Sequence, residues 1–151
     1  MRPTVTEKRE AFRDLHETGC FVIPNPWDAG SAAILQSLGF RALASTSAGF
    51  AWSQARPDYR VARDDVLAHL TALCAATDLP VNADFENGFA DAPEDVASNI
   101  ALAIDTGISG LSIEDSSWAE GDPLYGFDLA VARIAAARKA VDDSGSRVFL
   151  T

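Results

Sequence analysis

The chain has 151 residues, 48% of them hydrophobic and 23% charged, with 12 basic against 22 acidic side chains and a net charge of −10. That length suits one domain with a core of its own, the hydrophobic fraction excludes a disordered chain, and no unbroken apolar run is long enough to span a bilayer. The acidic balance argues against general nucleic-acid binding and against anionic membrane surfaces, yet it is compatible with an anionic substrate, because a metal ion reverses the local sign.

The opening MRPTVTEKREAFRDLHE is polar and amphipathic. It holds no apolar signal core, which predicts a cytoplasmic protein, and its spacing predicts a leading helix over about 5–17. CFVIPN reads as a first short strand, with Cys20 at its start. Asp28 is placed to cap a helix through Ile34, Leu35 and Leu38, closed by Gly39. ALAST reads as a second strand, and a longer loop leads to a helix carrying Val66, Leu67, Leu70 and Leu73. VNAD is a third strand. Pro93 opens a helix with Val96, Ile100 and Ile104 on one face and Gly107 at its end. GLSIED is a fourth strand, Asp128 is expected to cap the last helix through Ile134 and Val141, and RVFLT is a fifth strand. The reading is one incomplete domain over 1–151, with βα units over about 20–143 and a final strand over about 147–151. Cys20 and Cys74 fall in apolar patterns and read as reduced core residues.

Strands this short, continuous and apolar suit burial on both faces, and alternating βα units predict a parallel sheet with right-handed crossovers. Two architectures fit: an open doubly wound sheet, or part of a (β/α)8 barrel. No GxGxxG or GxxxxGK[ST] loop follows any strand, which counts against a nucleotide-binding open sheet. In either architecture the site lies at the carboxyl ends of the strands, and there the sequence is acidic. VNAD runs into Asp84 and Glu86, GLSIED ends in Glu114 and Asp115, and the loop after the second strand carries Asp58. Alternation places Asp84 and Glu86 on one face and turns Phe85 away, while Gly88 lets the backbone turn. Converging carboxylates repel one another, and burial makes that worse. A hard divalent cation relieves the conflict; magnesium suits oxygen ligands that leave room for water and substrate, and manganese is a substitute.

NADFENGFADAPEDV followed by GLSIED resembles the isocitrate lyase/phosphoenolpyruvate mutase superfamily, and NPWDAGSAAILQSLGFRALASTSAGFAWSQARPD agrees with that family's first two βα units. The resemblance runs from about Gly19 to Thr151. It is strongest to the ENGF branch, often named after carboxyvinyl-carboxyphosphonate phosphorylmutase. It implies the N-terminal half, about four βα units plus strand five, of a (β/α)8 TIM barrel that binds magnesium. The reaction implied is lyase or mutase chemistry on a small-molecule 2-oxo carboxylate, or an acid cleaved to one, through a metal-stabilised enolate. Position by position, Asp84 and Glu86 match the acidic metal pair, Glu114 the strand-four glutamate near metal-bound water, and Asp58 the loop aspartate beside metal and substrate. Ser45, Thr46 and Ser47 match the segment that holds substrate oxygens.

The departures narrow the reaction. The loop DSSWAEGDPLYGFD lacks the cysteine, lysine and histidine that an isocitrate or 2-methylisocitrate lyase would carry there. The lysine- and asparagine-bearing lid of the phosphoenolpyruvate mutases is also missing. C–C cleavage is favoured, with P–C phosphomutase chemistry and a catalytically silent half-barrel as alternatives. Trp118 and Tyr125 fall in the lid region, and Trp27 and Trp52 read as wall or core aromatics. His16 and His69 lie away from strand ends, and Arg133, Arg138 and Lys139 read as a solvated helix face. A complete barrel runs to about 250 residues, and the family's substrate-binding arginine after strand five falls beyond Thr151. The expectation is a metal-binding half-site without normal turnover, whose open sheet edges favour a homo-oligomer.

Overall fold

A computed structural model describes residues 2–118, 121 and 123–151. Four short parallel strands run in the order β1-β2-β3-β4: β1 Leu43–Ala44, β2 Val81–Asp84, β3 Gly110–Ser112 and β4 Phe149–Leu150. Leu43 pairs with Val81, Asn82 with Gly110, and Leu111 with Leu150. The helices are α1 Val5–Leu15, α2 Ala29–Ser37, α3 Ser47–Ser53, α4 Arg63–Ala76, α5 Pro93–Asp105 and α6 Phe127–Ser144. A parallel sheet whose strands are joined by helical crossovers is half of the barrel architecture expected from the sequence.

Local chemistry sets the helix starts. Thr4 and Glu7 form a reciprocal capping box on α1, with the Thr4 N–H donating to Glu7 Oε2 at 2.7 Å. Asp28 caps α2 by accepting from the Ser31 N–H at 2.7 Å. Pro93 opens α5, where a missing N–H costs nothing. The last helix departs from expectation. Gly126 occupies its N-cap, and Asp128 sits inside the first turn, where its charge suits the helix dipole.

Two further elements differ from the sequence reading. CFVIPN is extended but forms no strand, because Pro24 and Pro26 have no N–H to offer a ladder; the Pro24 carbonyl accepts one bond, from the Ala44 N–H at 3.1 Å. The loop after β1 contains a helix, α3, capped by the Thr46 hydroxyl, which accepts from the Gly49 N–H at 3.2 Å. Nor are the strands buried on both faces. Along β2, Val81 and Ala83 are buried against the helices while Asn82 and Asp84 are half-buried on the other face.

The main core joins Ala83, Phe85 and Leu111 of the sheet region to Leu70, Ile100 and Val141 of α4, α5 and α6. A smaller cluster beneath the amino ends of the strands is built on Phe12, Leu15 and Ala42. A Cβ at Gly110 would stand 2.5 Å from the Phe12 ring, so α1 reaches the sheet only because this position is bare. Basic side chains of α1 fasten it there. Lys8 Nζ donates to the carbonyls of Cys74 and Thr77, at 3.0 and 2.5 Å, and Arg9 donates to those of Ile108 and Ile104, at 2.9 and 2.8 Å. These satisfy the exposed carbonyl ends of α4 and α5. Among the described residues no helix is long and apolar enough to cross a membrane.

Candidate active site at the carboxyl edge of the sheet

β2 ends at Asp84, and the chain then breaks its strand geometry. Glu86 adopts φ +47°, Gly88 φ +75° and Phe89 φ +56°. Glu86 therefore reaches the mouth of the sheet through a left-handed turn, not through the strand alternation expected for it. At Gly88 a side chain would press on Val96 at 3.2 Å in addition to straining the backbone.

The predicted acids gather at this mouth. Ser47 donates to Asp84 Oδ2 from both its N–H and its hydroxyl, at 2.8 and 2.9 Å. Ser45 Oγ accepts from the Asp84 N–H at 2.9 Å. The segment 45–47 thus orients Asp84 and starts α3, with both Ser47 donors already used. Glu114 takes the Tyr59 hydroxyl on its two oxygens, at 3.1 and 3.2 Å, and its N–H donates to the Glu86 carbonyl at 2.8 Å. Asp58 accepts from the Tyr59 N–H at 3.0 Å.

Glu86 is 5% exposed, and no described residue donates a hydrogen bond to its carboxylate. Burial, then the charges of Asp84, Asp58 and Glu114, push its pKa up to about 8. The Glu114 carboxyl is also raised, mainly by burial, with the Tyr59 hydroxyl opposing. Burial and the Glu114 charge hold the Tyr59 phenol protonated. Burial is the largest cause of each shift, and neighbouring negative charge adds to it.

The cavity at this mouth is about 480 Å³ and includes Asp58, Tyr59, Arg60, Glu86, Asn87 and Trp118 in its lining. Tyr59 and Trp118 lie ring against ring at one wall. Among the described residues six non-glycine positions have positive φ, and four of them, Tyr59, Glu86, Phe89 and Trp118, line this cavity. Left-handed backbone in such residues is costly and collects where function requires it. A larger hollow, about 760 Å³, lies on the outer surface of α5 and α6 and is lined mainly by small side chains.

Among the described residues no three His, Cys, Asp or Glu side chains converge into a ready metal-ligand cluster. Asp84, Glu86 and Glu114 are brought to one mouth without forming a closed cage. The donor set is hard oxygen throughout, and no described residue donates to the Glu86 carboxylate. Both features fit magnesium held in large part through water.

Several side chains have roles other than those expected. Arg133 does not lie on a solvated face. It is 1% exposed, it donates to the carbonyls of Asn87 and Ala90 and, at 2.8 Å, of Asp91, and its guanidinium lies 4.0 Å from the centre of the Tyr125 ring. Tyr125 in turn accepts from Asn87 Nδ2 at 2.9 Å and donates to Asp91 Oδ1 at 2.5 Å. Asn99 Nδ2 donates to the carbonyls of Gly88 and Phe89, at 2.8 and 3.3 Å. All five carbonyls of 87–91 are thereby gripped from α5 and α6. Trp27 and Trp52 are substantially exposed, as is Cys20, so none of them is a core residue. The histidines lie away from the mouth: His16 stacks on Phe149 and His69 on Phe50.

Fold and mouth together define an enzyme-like α/β half-barrel with an acidic strand-end site. Residues 12–151 match the family model described as phosphoenolpyruvate phosphomutase, and the chain belongs to that family, within the PEP mutase/isocitrate lyase superfamily. A lyase/mutase-type protein of Burkholderia cenocepacia J2315, whose activity its name leaves open, is 51% identical, with a TM-score of 0.90 over 91% of this chain and 50% of its own. A phosphonomutase-type protein of the same strain, named with the same reserve, is 40% identical, with a TM-score of 0.91 over 97% of this chain and 58% of its own. A 2,3-dimethylmalate lyase of the superfamily is 28% identical, with a TM-score of 0.84 over 98% of this chain and 52% of its own. The chain spans about half the length of the curated relatives it matches, 48% and 45% of two of them.

Proposed function

We propose that the protein is a magnesium-dependent lyase acting on a small 2-oxo carboxylate, or on an acid cleaved to one, through an enolate. The observation that carries this reading is the buried Glu86 carboxyl among Asp58, Asp84 and Glu114, without a donor among the described residues and with its pKa pushed up to about 8. Such a group calls for a cation. Asp84, Glu86 and Glu114 would hold magnesium, with manganese as a substitute, and the bound ion would supply electrostatic stabilisation of enolate charge. Ser47 fixes the orientation of Asp84, and Tyr59 fixes that of Glu114. Trp118 and Tyr59 form a wall that keeps water from one side of the cavity. The 45–47 segment still offers the Ser45 and Thr46 hydroxyl protons to substrate oxygens.

We favour C–C cleavage, although the segment 115–128 carries neither the acid cysteine of an isocitrate-type lyase nor the lid lysine of a phosphomutase. The family's name and the phosphonomutase-type relative support the second reading, P–C chemistry. Calorimetric titration tests the metal assignment. Magnesium should bind the native chain and bind Asp84→Ala at least tenfold more weakly, and oxalate should bind only when magnesium is present. Equal magnesium binding by both chains would overturn the assignment.

A further inference from the structure

The sequence has twelve Lys and Arg residues, and ten of them are engaged by a carboxylate, a backbone carbonyl or an aromatic ring. Among the described residues Arg41 and Arg60 alone have no such partner. They stand at opposite ends of the sheet. Arg41 precedes β1 at the amino end, beside Gly39 and Phe40. Arg60, which is exposed, lines the acidic cavity with Asp58 and Glu86, and no carboxylate of the described residues pairs with it.

A free guanidinium among carboxylates is unusual in a chain that pairs nearly every other cation. Among the described lining residues it is also the one cationic side chain. An acid entering this cavity would otherwise meet only negative and neutral groups. We propose that Arg60 is a specificity-determining residue that binds a second oxyanion, a distal carboxylate or a phosphonate, on an oxo acid whose carboxylate end lies at the Asp84–Glu86–Glu114 mouth. The planar guanidinium offers paired N–H donors that match either group. A cavity of about 480 Å³ accommodates a small acid of this kind. The inference rests on the function proposed above and adds to it the residue that reads the distal anion.

Competition titrations on the full chain with magnesium present, monitored by tryptophan fluorescence, test this. The probes are oxalate and pyruvate, which have no distal anion, oxaloacetate with a distal carboxylate, and 3-phosphonopyruvate with a phosphonate. Oxaloacetate, phosphonopyruvate or both should bind roughly tenfold more tightly than pyruvate. Arg60→Gln should reduce that margin to within about twofold and leave oxalate and pyruvate unchanged, Arg60→Lys should restore part of it, and Arg41→Gln, the same charge change at the far end, should leave it intact. The probe whose margin Arg60→Gln removes identifies the anion. A margin that survives Arg60→Gln, or no margin in the native chain, overturns the role of Arg60 while magnesium-dependent oxalate binding upholds the site. Absence of oxalate binding with magnesium overturns both.

Discussion

Glu86 links burial to acidity most directly. In the folded chain it keeps its proton to about pH 8, whereas an ordinary glutamate loses it near 4.5. Between those values the folded state binds more protons than the unfolded state, so stability must fall as pH rises through this window. With a chelator present, the melting temperature should fall by roughly 5 °C between pH 5 and 9, and Glu86→Gln should remove much of that slope. An unchanged slope in the variant would place the strain elsewhere. Arg133 carries a different load. Removing it leaves carbonyls of Asn87, Ala90 and Asp91 without a donor. Arg133→Met should lower the melting temperature by about 6–12 °C. Arg133→Lys should rescue little of this, because an ammonium lacks the fork that reaches several carbonyls at once.

Among the elements, legibility followed the range of the interactions involved. The starts of α1, α2 and α5 were readable because Thr4, Asp28 and Pro93 act on neighbours a few residues away. The first strand was misjudged because the apolar pattern of CFVIPN outweighed the two prolines that prevent pairing. The start of α3 carried a signal, Thr46 ahead of a short apolar stretch, hidden by its reading as a strand end. The acids at the mouth were visible as strand-end residues. The left-handed turns at Tyr59 and Glu86 were not visible, and neither was the burial of Arg133, whose partners lie more than forty residues away in the chain. α1 gives a test at this scale. Arg9 spans the ends of two structural units by reaching the carbonyls of Ile104 and Ile108. Arg9→Ala should cost about 1–3 kcal/mol and speed amide exchange in α1 and around 104–109, with β2 unaffected. Faster exchange in β2 instead would mean that α1 stabilises the sheet as a whole.

At the scale of the whole molecule, two apolar faces stand uncovered among the described residues. On α2 and just after it, Ile34 is 61% and Leu38 69% exposed; on α6, Phe127 is 81% exposed, with Val131 and Ile134 following at helical spacing. Faces of this kind bind other apolar surfaces. We expect the 151-residue chain to self-associate, with a mass by light scattering that rises with concentration, and Ile34→Ser with Phe127→Ser to suppress the rise. A constant monomer mass in the native chain would refute this. In a version joined to the remaining barrel units of a relative, isocitrate and 2-methylisocitrate should be poor substrates, and robust isocitrate cleavage would overturn the reading of segment 115–128.

The grip on residues 87–91 has a consequence for how this protein could change over generations. Arg133 and Asn99 hold main-chain oxygens, which every amino acid presents alike. The path of the loop is therefore set in part from α5 and α6, alongside the loop's own Gly88 and Asn87. In a saturation scan Arg133 and Asn99 should accept almost no replacements. New side chains could then be tried beside the acidic mouth without dismantling it, and the chemistry at the strand ends would persist while the range of acids admitted drifts.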